Sequence, residues 1–355
     1  MTARMERSQN SSGQNSSGAP SPTNLRPQLG GLPLYECSPE DEFLHLPAAS
    51  GHYSSTETTY WGFNIPEKQI NGEIYMWFHP VLRMCSASVY IWKGFHGSTL
   101  SCEYVNHYHY LPFPENGIAE YRVADTMDLR FRVIEPLKTI EIIYRDAERG
   151  VAFSLLNEAI MPPAGRPGGF HFTQAMKVKG SLELFGETHA IDSYFSRDHS
   201  WSQERRETSR VGPPLTWMVG VFGDDLAFHA VGYDDPALRP GWEDRYPAVQ
   251  PGQGLGWGFI FKDGVTKPIK SMRKLTHRED DGLSPISFDV ELIDIDDECH
   301  TIKGQVQARM PWQTWQNMNV YFCQTRWELD GRTGYGDAQD IQMNDFVHHF
   351  AKQRG

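Results

Sequence analysis

Residues 72 to 79 read Gly-Glu-Ile-Tyr-Met-Trp-Phe-His, with Glu73, Tyr75 and Trp77 alternating against Ile74, Met76 and Phe78. Alternation of this kind is the period of an extended strand, whose successive side chains point to opposite faces. Both faces carry bulky groups, so this strand is expected to be covered on both sides. From Tyr53 onward the theme repeats: short runs rich in β-branched and aromatic residues, separated by Gly, Pro, Asn and Asp. Strands are expected over 58–64, 72–79, 86–93, 100–106, 118–123, 128–134, 139–145 and 151–160. A second set is expected over 171–178, 181–185, 189–195, 216–222, 225–233, 256–261, 268–276, 286–293, 300–309 and 319–329. Only Asp340 to Lys352 suggests a helix, and nothing resembles the βαβ repeat of a parallel sheet. Between the two sets, MPPAGRPGGF at residues 161–170 breaks any strand. The fold class is therefore all-β, with two consecutive antiparallel β-barrel or sandwich domains, residues 31–170 and 171–355.

Composition narrows the function. Residues 1–30 are mostly Ser, Asn, Gln, Gly and Pro, the make-up of a disordered tail, and they lack the apolar stretch of a signal peptide. No later run of about eighteen apolar residues could span a bilayer, so a soluble, cytoplasmic protein is expected. The formal net charge of -12, with no basic stripe, argues against a nucleic-acid partner. Cys37, Cys85, Cys102, Cys299 and Cys323 are scattered and never in CxxC spacing, which indicates neither a disulfide framework nor a zinc knuckle. The pairs His107/His109 and His348/His349 have no carboxylate at ligand spacing. The Gly-rich run 252–258 opens no helix, and no phosphate-binding loop appears. Neither a metal nor an organic cofactor is expected. Aromatic residues make up 12% of the chain, with ten Trp, which suits a ring-lined apolar cavity as well as a packed β core.

The densest chemistry lies at Arg197-Asp198-His199-Ser200-Trp201, between segments that alternate like strands. On an extended backbone Asp198 and His199 point to opposite faces, whereas His199 and Trp201 share one. The plain structural account is a polar strand end, with Arg197 paired to Asp198 and Trp201 capping a core. Downstream, Gly223-Asp224-Asp225 reads as a hairpin turn that puts Trp217 and His229 on neighbouring strands. A histidine in so apolar a strand is, taken alone, a satisfied core residue.

The Asp198-His199-x-Trp201 core resembles the two-domain lipocalin-like family of carotenoid 1,2-hydratase, kievitone hydratase and AttH-type proteins. Gly180 and His171-Phe-Thr-Gln174 precede it, and a Trp-bearing hairpin follows. Glu57 to Phe63, Gly72-Glu73 and His79-Pro80 look like that family's opening hairpin. Trp327 to Gly331 and Gly334-Tyr335-Gly336 look like its closing strand and turn. The likeness covers roughly residues 50–340 and is specific only at the core. It implies a cofactor-independent hydratase or dehydratase acting on an apolar, often isoprenoid, substrate. It also implies roles for Asp198, His199 and Trp201, and for a Tyr-x-Asp pair best matched by Tyr233-Asp234-Asp235. Where the family has Gly after the Trp, this chain has Ser202, so a different turn geometry is expected.

The residues suit such chemistry. Adding water across a C=C bond needs a proton donor, a site that stabilises a carbocation and a base that activates water. A carboxyl buried among rings keeps more of its proton and is a stronger donor than histidine, so Asp198 or Asp235 is expected as acid, with His199 as base or orienter. Trp201, Trp217 and Tyr233 offer ring faces worth up to about 2 kcal/mol each to a desolvated cation. The seam between the domains is the expected location, with His199, Trp201, Trp217 and His229 on one wall, and Trp61, Tyr75 and Trp77 opposite. His171 and Gln174 complete the expected substrate-binding set. Isomerase chemistry, a pericyclase of similar fold, and a non-catalytic carrier for an apolar metabolite remain the alternatives, because fold does not fix reaction.

Overall fold

The structure is a computed structural model that describes residues 27–45, 51–124, 127–205, 211–250, 252–312 and 318–353. Twenty strands dominate the described residues. The first twelve are β1 (Tyr35–Glu36), β2 (Ser55–Ile65), β3 (Ile70–His79), β4 (Met84–Lys93), β5 (Tyr104–Pro112), β6 (Glu120–Ala124), β7 (Met127–Glu135), β8 (Thr139–Asp146), β9 (Val151–Ala159), β10 (Ala164–Gly165), β11 (His171–Leu184) and β12 (Glu187–Glu204). The remainder are β13 (Leu215–Val221), β14 (Leu226–Tyr233), β15 (Leu255–Lys262), β16 (Val265–Arg278), β17 (Pro285–Asp294), β18 (Cys299–Trp312), β19 (Met318–Leu329) and β20 (Arg332–Met343). Two helices, α1 (Trp242–Arg245) and α2 (Asn344–Gln353), complete the set.

The first sheet runs β5-β4-β3-β2-β12-β11-β9-β8-β7-β6, with β1 and β10 branching from β11. Its ends nearly meet, since the Tyr121 hydroxyl on β6 donates to the Pro112 carbonyl of β5 at 3.3 Å. Strands β13 to β20 pair in sequence order and close into an eight-stranded barrel. The molecule is thus all-β with two lipocalin-like barrels, as expected.

Several boundaries differ from the expected ones. The domain change does not fall at residue 171, because β11 and β12 insert between β9 and β2 and complete the first barrel. MPPAGRPGGF is a loop within that barrel, and its Ala164 and Gly165 pair with both β1 and β11. Gly180 does not divide two strands but lies within β11, where a Cβ would come 1.9 Å from the Ser154 carbonyl oxygen of β9. Residues 99–101 form a 3-10 turn, and the strand expected at 100–106 begins at Tyr104. The helix expected from Asp340 begins at Asn344, because Asp340 and Gln342 extend β20 into a buried polar network. Of the expected tail, residues 1–26 lie outside the described residues, while the Leu29 amide donates to the Gly256 carbonyl on the second barrel.

Period-two alternation gives each barrel an inward and an outward set. Inside the first are Ile74, Met76 and Phe78 of β3, with Val89, Leu129, Ile142 and Leu155. Inside the second are Met218, Phe228, Met272, Val290, Ile302 and Trp327. The outward sets form a third core, in which Tyr75, Trp77, Tyr90, Trp92 and Ala175 of the first barrel pack on Trp217, Trp257, Met310, Trp312 and Phe322 of the second. Strand β3 is thus covered on both sides, as its sequence requires.

Candidate active site

The same alternation splits the Arg197 to Trp201 motif between two environments. Arg197, His199 and Trp201 turn inward at one end of the first barrel, which residues 38–45 cross. Arg197 does not pair with Asp198. Its guanidinium donates to both oxygens of Glu42 (2.6 and 2.8 Å) and to Gln174 Oε1 (2.9 Å), and it lies over the Trp61 and Phe172 rings. His199 is buried, with Nδ1 2.9 Å from the Asp41 carbonyl oxygen and Nε2 2.7 Å from Glu57 Oε1. The His45 ring stacks on Trp201 at 4.3 Å. Burial raises the Glu57 carboxyl, but hydrogen bonds from His199 and His45 outweigh that and hold it below the usual carboxylate range.

His199, Trp201, Trp61 and Gln174 therefore do not share a wall with Trp217 and His229. The pleat is the physical reason. Tyr60 and Trp61 are neighbours on β2, as are Asp198 and His199 on β12, and neighbours on a strand face opposite ways. Ser202 has φ of 52°, the left-handed region that glycine favours, at a register shift between Ser200 and Gln203. The turn after Trp201 thus keeps a glycine-type backbone despite the serine.

The outward faces converge at the seam. There the Tyr60 hydroxyl donates to Asp337 Oδ2 across the barrels at 2.8 Å, and Gln339 Nε2 donates to the same oxygen at 2.9 Å. Asp337 Oδ1 has no partner among the described residues. Burial pushes the Asp337 carboxyl up to about 7, against the lowering effect of its bonds from Gln339, Tyr60 and the Ala338 amide. Glu73 is wholly buried beside this pair, without a well-aligned hydrogen bond among the described residues. Burial first, and the nearby Asp337 charge second, hold it well above the usual carboxylate range. Two carboxyls in one apolar site cannot both ionise cheaply, so at least one keeps its proton near neutrality. Tyr75 meets Tyr60 edge-on at 5.4 Å, Trp77 meets Tyr75 at 5.3 Å, and Trp312 meets Trp77 at 5.4 Å. Tyr75, Trp77 and Asp198 are partly exposed, which marks the open side.

Trp217 lies opposite Gln339 in the β13–β20 register and leads to a second group of rings. Its ring is 4.9 Å from both His171 and His229, and His229 is 4.5 Å from Trp257. The His171 nitrogens bond Ser200 Oγ and Thr173 Oγ1. His229 is wholly buried, and burial pulls its pKa down to about 3 although Nδ1 bonds the Met218 carbonyl. A carbonyl oxygen only accepts, so Nδ1 carries the proton and Nε2 presents a lone pair. Neither His229 Nε2 nor Trp257 Nε1 has a partner among the described residues. An acceptor and a donor thus lie in one aromatic box.

Tyr233 ends β14, and Asp235 follows it in the next loop. Tyr233 is packed in the interface core, and its amide bonds the Gly254 carbonyl. The Asp235 carboxylate caps a 3-10 turn through the Ala237 amide and accepts from the Gly252 amide, which clasps that loop. Its neighbour Asp234 belongs to a buried network in which Lys274 bonds Asp234, and Arg278 donates to both Asp234 and Asp340. The sequence reading missed Tyr60, Glu73, Asp337, Trp257 and Trp312. Glu73 carried a signal, as a carboxylate on an otherwise apolar strand, whereas Asp337 was hidden in a Gly-rich stretch read as a turn.

Two antiparallel barrels joined face to face, with polar groups gathered at the seam, define a two-domain lipocalin-like protein. The sequence matches the family described as "Domain of unknown function (DUF7064)" over residues 38–345, and the chain belongs to that family. No curated protein matches it. Among solved structures it is similar to kievitone hydratase from Nectria haematococca, with a TM-score of 0.52 and 14% identity over 92% of this chain and 98% of that one. It is similar also to an AttH-type protein from Nitrosomonas europaea, with a TM-score of 0.52 and 14% identity over 84% of this chain and 96% of that one. At this identity the likeness establishes the fold alone.

Proposed function

We propose that the protein is a cofactor-independent acid/base enzyme of hydratase, dehydratase or isomerase type, which takes a hydrophobic isoprenoid-like or polycyclic substrate at the seam. The observation that carries this is Asp337, a carboxyl buried between two barrels, bonded to Tyr60 and pushed up to about 7. A carboxyl poised near neutrality is half protonated there, the state a general acid needs. In hydration, Asp337 gives its proton to one carbon of a C=C bond. The ring faces of Tyr75, Trp77 and Trp312 hold the resulting cation, and water adds to the other carbon. Asp198, on the open side of the seam, accepts the proton that this water releases. His229 Nε2 and Trp257 Nε1 together grip a hydroxyl, the former accepting and the latter donating. Arg197, His199 and Trp201 act from the other face of β12 by fixing the strand that carries Asp198. That a protein of the same fold is a kievitone hydratase agrees with this class of reaction.

The low basicity of His229 favours a second reading, a carrier whose box binds a hydroxylated apolar molecule without reacting. One experiment separates the two. The chain is incubated with lipid extracts and with polycyclic phenols, and products are scanned for gain or loss of one water. Turnover that falls at least about a hundredfold in Asp337→Asn supports the enzyme. Ligand recovered unaltered supports the carrier, and turnover unchanged in both Asp337→Asn and Tyr60→Phe removes the proposed roles.

A further inference from the structure

The inward half of the Arg197 to Trp201 motif carries chemistry that the seam does not use. His45 Nδ1 lies 3.2 Å from Glu57 Oε1, and His199 Nε2 lies 2.7 Å from the same oxygen. One donor atom from each of these three residues falls within 4.8 Å of the others. Their remaining nitrogens are both committed to residue 41: His199 Nδ1 to the Asp41 carbonyl at 2.9 Å, His45 Nε2 to the Asp41 carboxylate at 3.3 Å. A carbonyl oxygen only accepts, so His199 Nδ1 carries a hydrogen, and in the absence of an ion Nε2 meets Glu57 Oε1 through the ring's second hydrogen. A metal ion that displaced this hydrogen would sit between Nε2 and Oε1, on donors already aimed at one point. Histidines that ligate metals orient their other N–H in this way, on a carboxylate or a backbone carbonyl.

We infer that His45, Glu57 and His199 form a binding site for a divalent transition-metal ion of the zinc class, oriented by Asp41. Two imidazoles and one carboxylate make a donor set that zinc takes, with one position left for water. The His45 amide donates to both Glu57 oxygens, to Oε2 at 2.9 Å and to Oε1 at 3.1 Å, and Oε1 is the one that both imidazoles face. An ion at about 2.0–2.1 Å from each nitrogen needs donors roughly 3.3 Å apart, so His199 and Glu57 separate by about 0.6 Å on binding. Solvent reaches the cluster at His45, whose side chain is 26% exposed, and supplies a water as fourth ligand. The ion would pin residues 38–45 across the barrel end, because His45 comes from that segment while Glu57 and His199 come from β2 and β12.

The test uses the full chain, stripped with a chelator and checked for fold by circular dichroism. Zinc is titrated by calorimetry, and cobalt by its visible absorption. We expect one equivalent of each, with cobalt bands of a four-coordinate nitrogen and oxygen site and a raised melting temperature. His45→Ala removes the most exposed ligand and lowers affinity at least tenfold with the fold intact, and Glu57→Gln does the same. A double His107→Ala, His109→Ala variant controls for the adjacent pair on β5 and leaves binding unchanged. Folded wild-type protein that takes up no zinc would overturn the inference and leave an imidazolium–carboxylate cluster in its place. So would a single site that survives both His45→Ala and Glu57→Gln.

Discussion

Replacing Asp337 with Asn gives a direct measure of what the seam does to a carboxyl. In the folded protein Asp337 holds its proton up to about pH 7, and in the unfolded chain up to about 3.8. Below both values each state is protonated and the group costs nothing. Between them the native state binds more protons than the unfolded state, so stability falls as pH rises. Above about 7 the cost is complete. A shift of about three units corresponds to about 4 kcal/mol, at roughly 1.4 kcal/mol per unit. Asn does not titrate, so the Asp337→Asn variant gains on the wild type by about that amount between about pH 4 and about pH 8. Urea denaturation of both proteins, followed by Trp fluorescence across this range, reads the difference. Glu73 adds a slope of its own in the same direction, and the double variant with Glu73→Gln flattens the profile further. Parallel curves for wild type and Asp337→Asn, constant to within about 0.5 kcal/mol, would refute the claim that the seam buries a proton-holding carboxyl.

Three further outcomes follow from other parts of the molecule. Arg197→Met strands Glu42 in a buried site and costs about 3–5 kcal/mol by urea midpoint, whereas adding Glu42→Gln recovers much of it. The His229 imidazole shows no titration by NMR between about pH 4 and about pH 9, because burial keeps it neutral throughout. Gly336→Ala lowers the melting temperature sharply, since its Cβ would sit 2.0 Å from the Val219 carbonyl oxygen and part β13 from β20; Gly331→Ala, in an open turn at φ 74°, costs only about 1 kcal/mol in the same assay.

Period two made most of the fold legible. Where alternation survives in the sequence, as in residues 72–79, the strand was found within a few residues; β12 was found only as far as residue 195, and β20 was not found, because its Gly-rich start read as a turn. Sheet membership was not legible, because the hydrogen bonds that place β11 beside β9 involve backbone atoms common to every residue. A Pro-rich and Gly-rich loop looks the same inside a barrel as between two. The candidate site was read only in part, for a related reason. Trp217, His229, His171, Tyr75 and Trp77 lie at the seam because each falls on the outward parity of its strand. His199 and Trp201 fall on the other parity, and strand alternation alone could not say which face looks toward the second barrel. Tyr60 and Asp337 meet across 277 residues of chain, and neither occupies a motif that would have paired them.

The barrel interiors are packed with their own side chains among the described residues. In the first, Phe153 packs on Phe63 at 5.6 Å and on Tyr144 at 5.2 Å, and residues 38–45 cross one end. In the second, Trp327 meets Phe228 at 5.1 Å and Phe288 at 5.7 Å. The buried Lys274, Asp234, Arg278 and Asp340 network occupies the space where Thr216 and Thr276 also point inward. Small eight-stranded barrels are often filled in this way by their own side chains. A ligand is then met where two outward faces converge, and the two barrels supply different parts of that place: Tyr60, Glu73 and Asp198 from one, Asp337, His229 and Trp257 from the other. Desolvation is what raises Asp337, and the first barrel contributes to it by laying Tyr60 on the carboxyl and against Phe322 of the second barrel. A carboxyl on the isolated face of the second barrel would return to the ordinary range. The proton affinity that the proposed chemistry needs is therefore a property of the docked pair, and any change that loosens the seam lowers the Asp337 pKa before it unfolds either barrel.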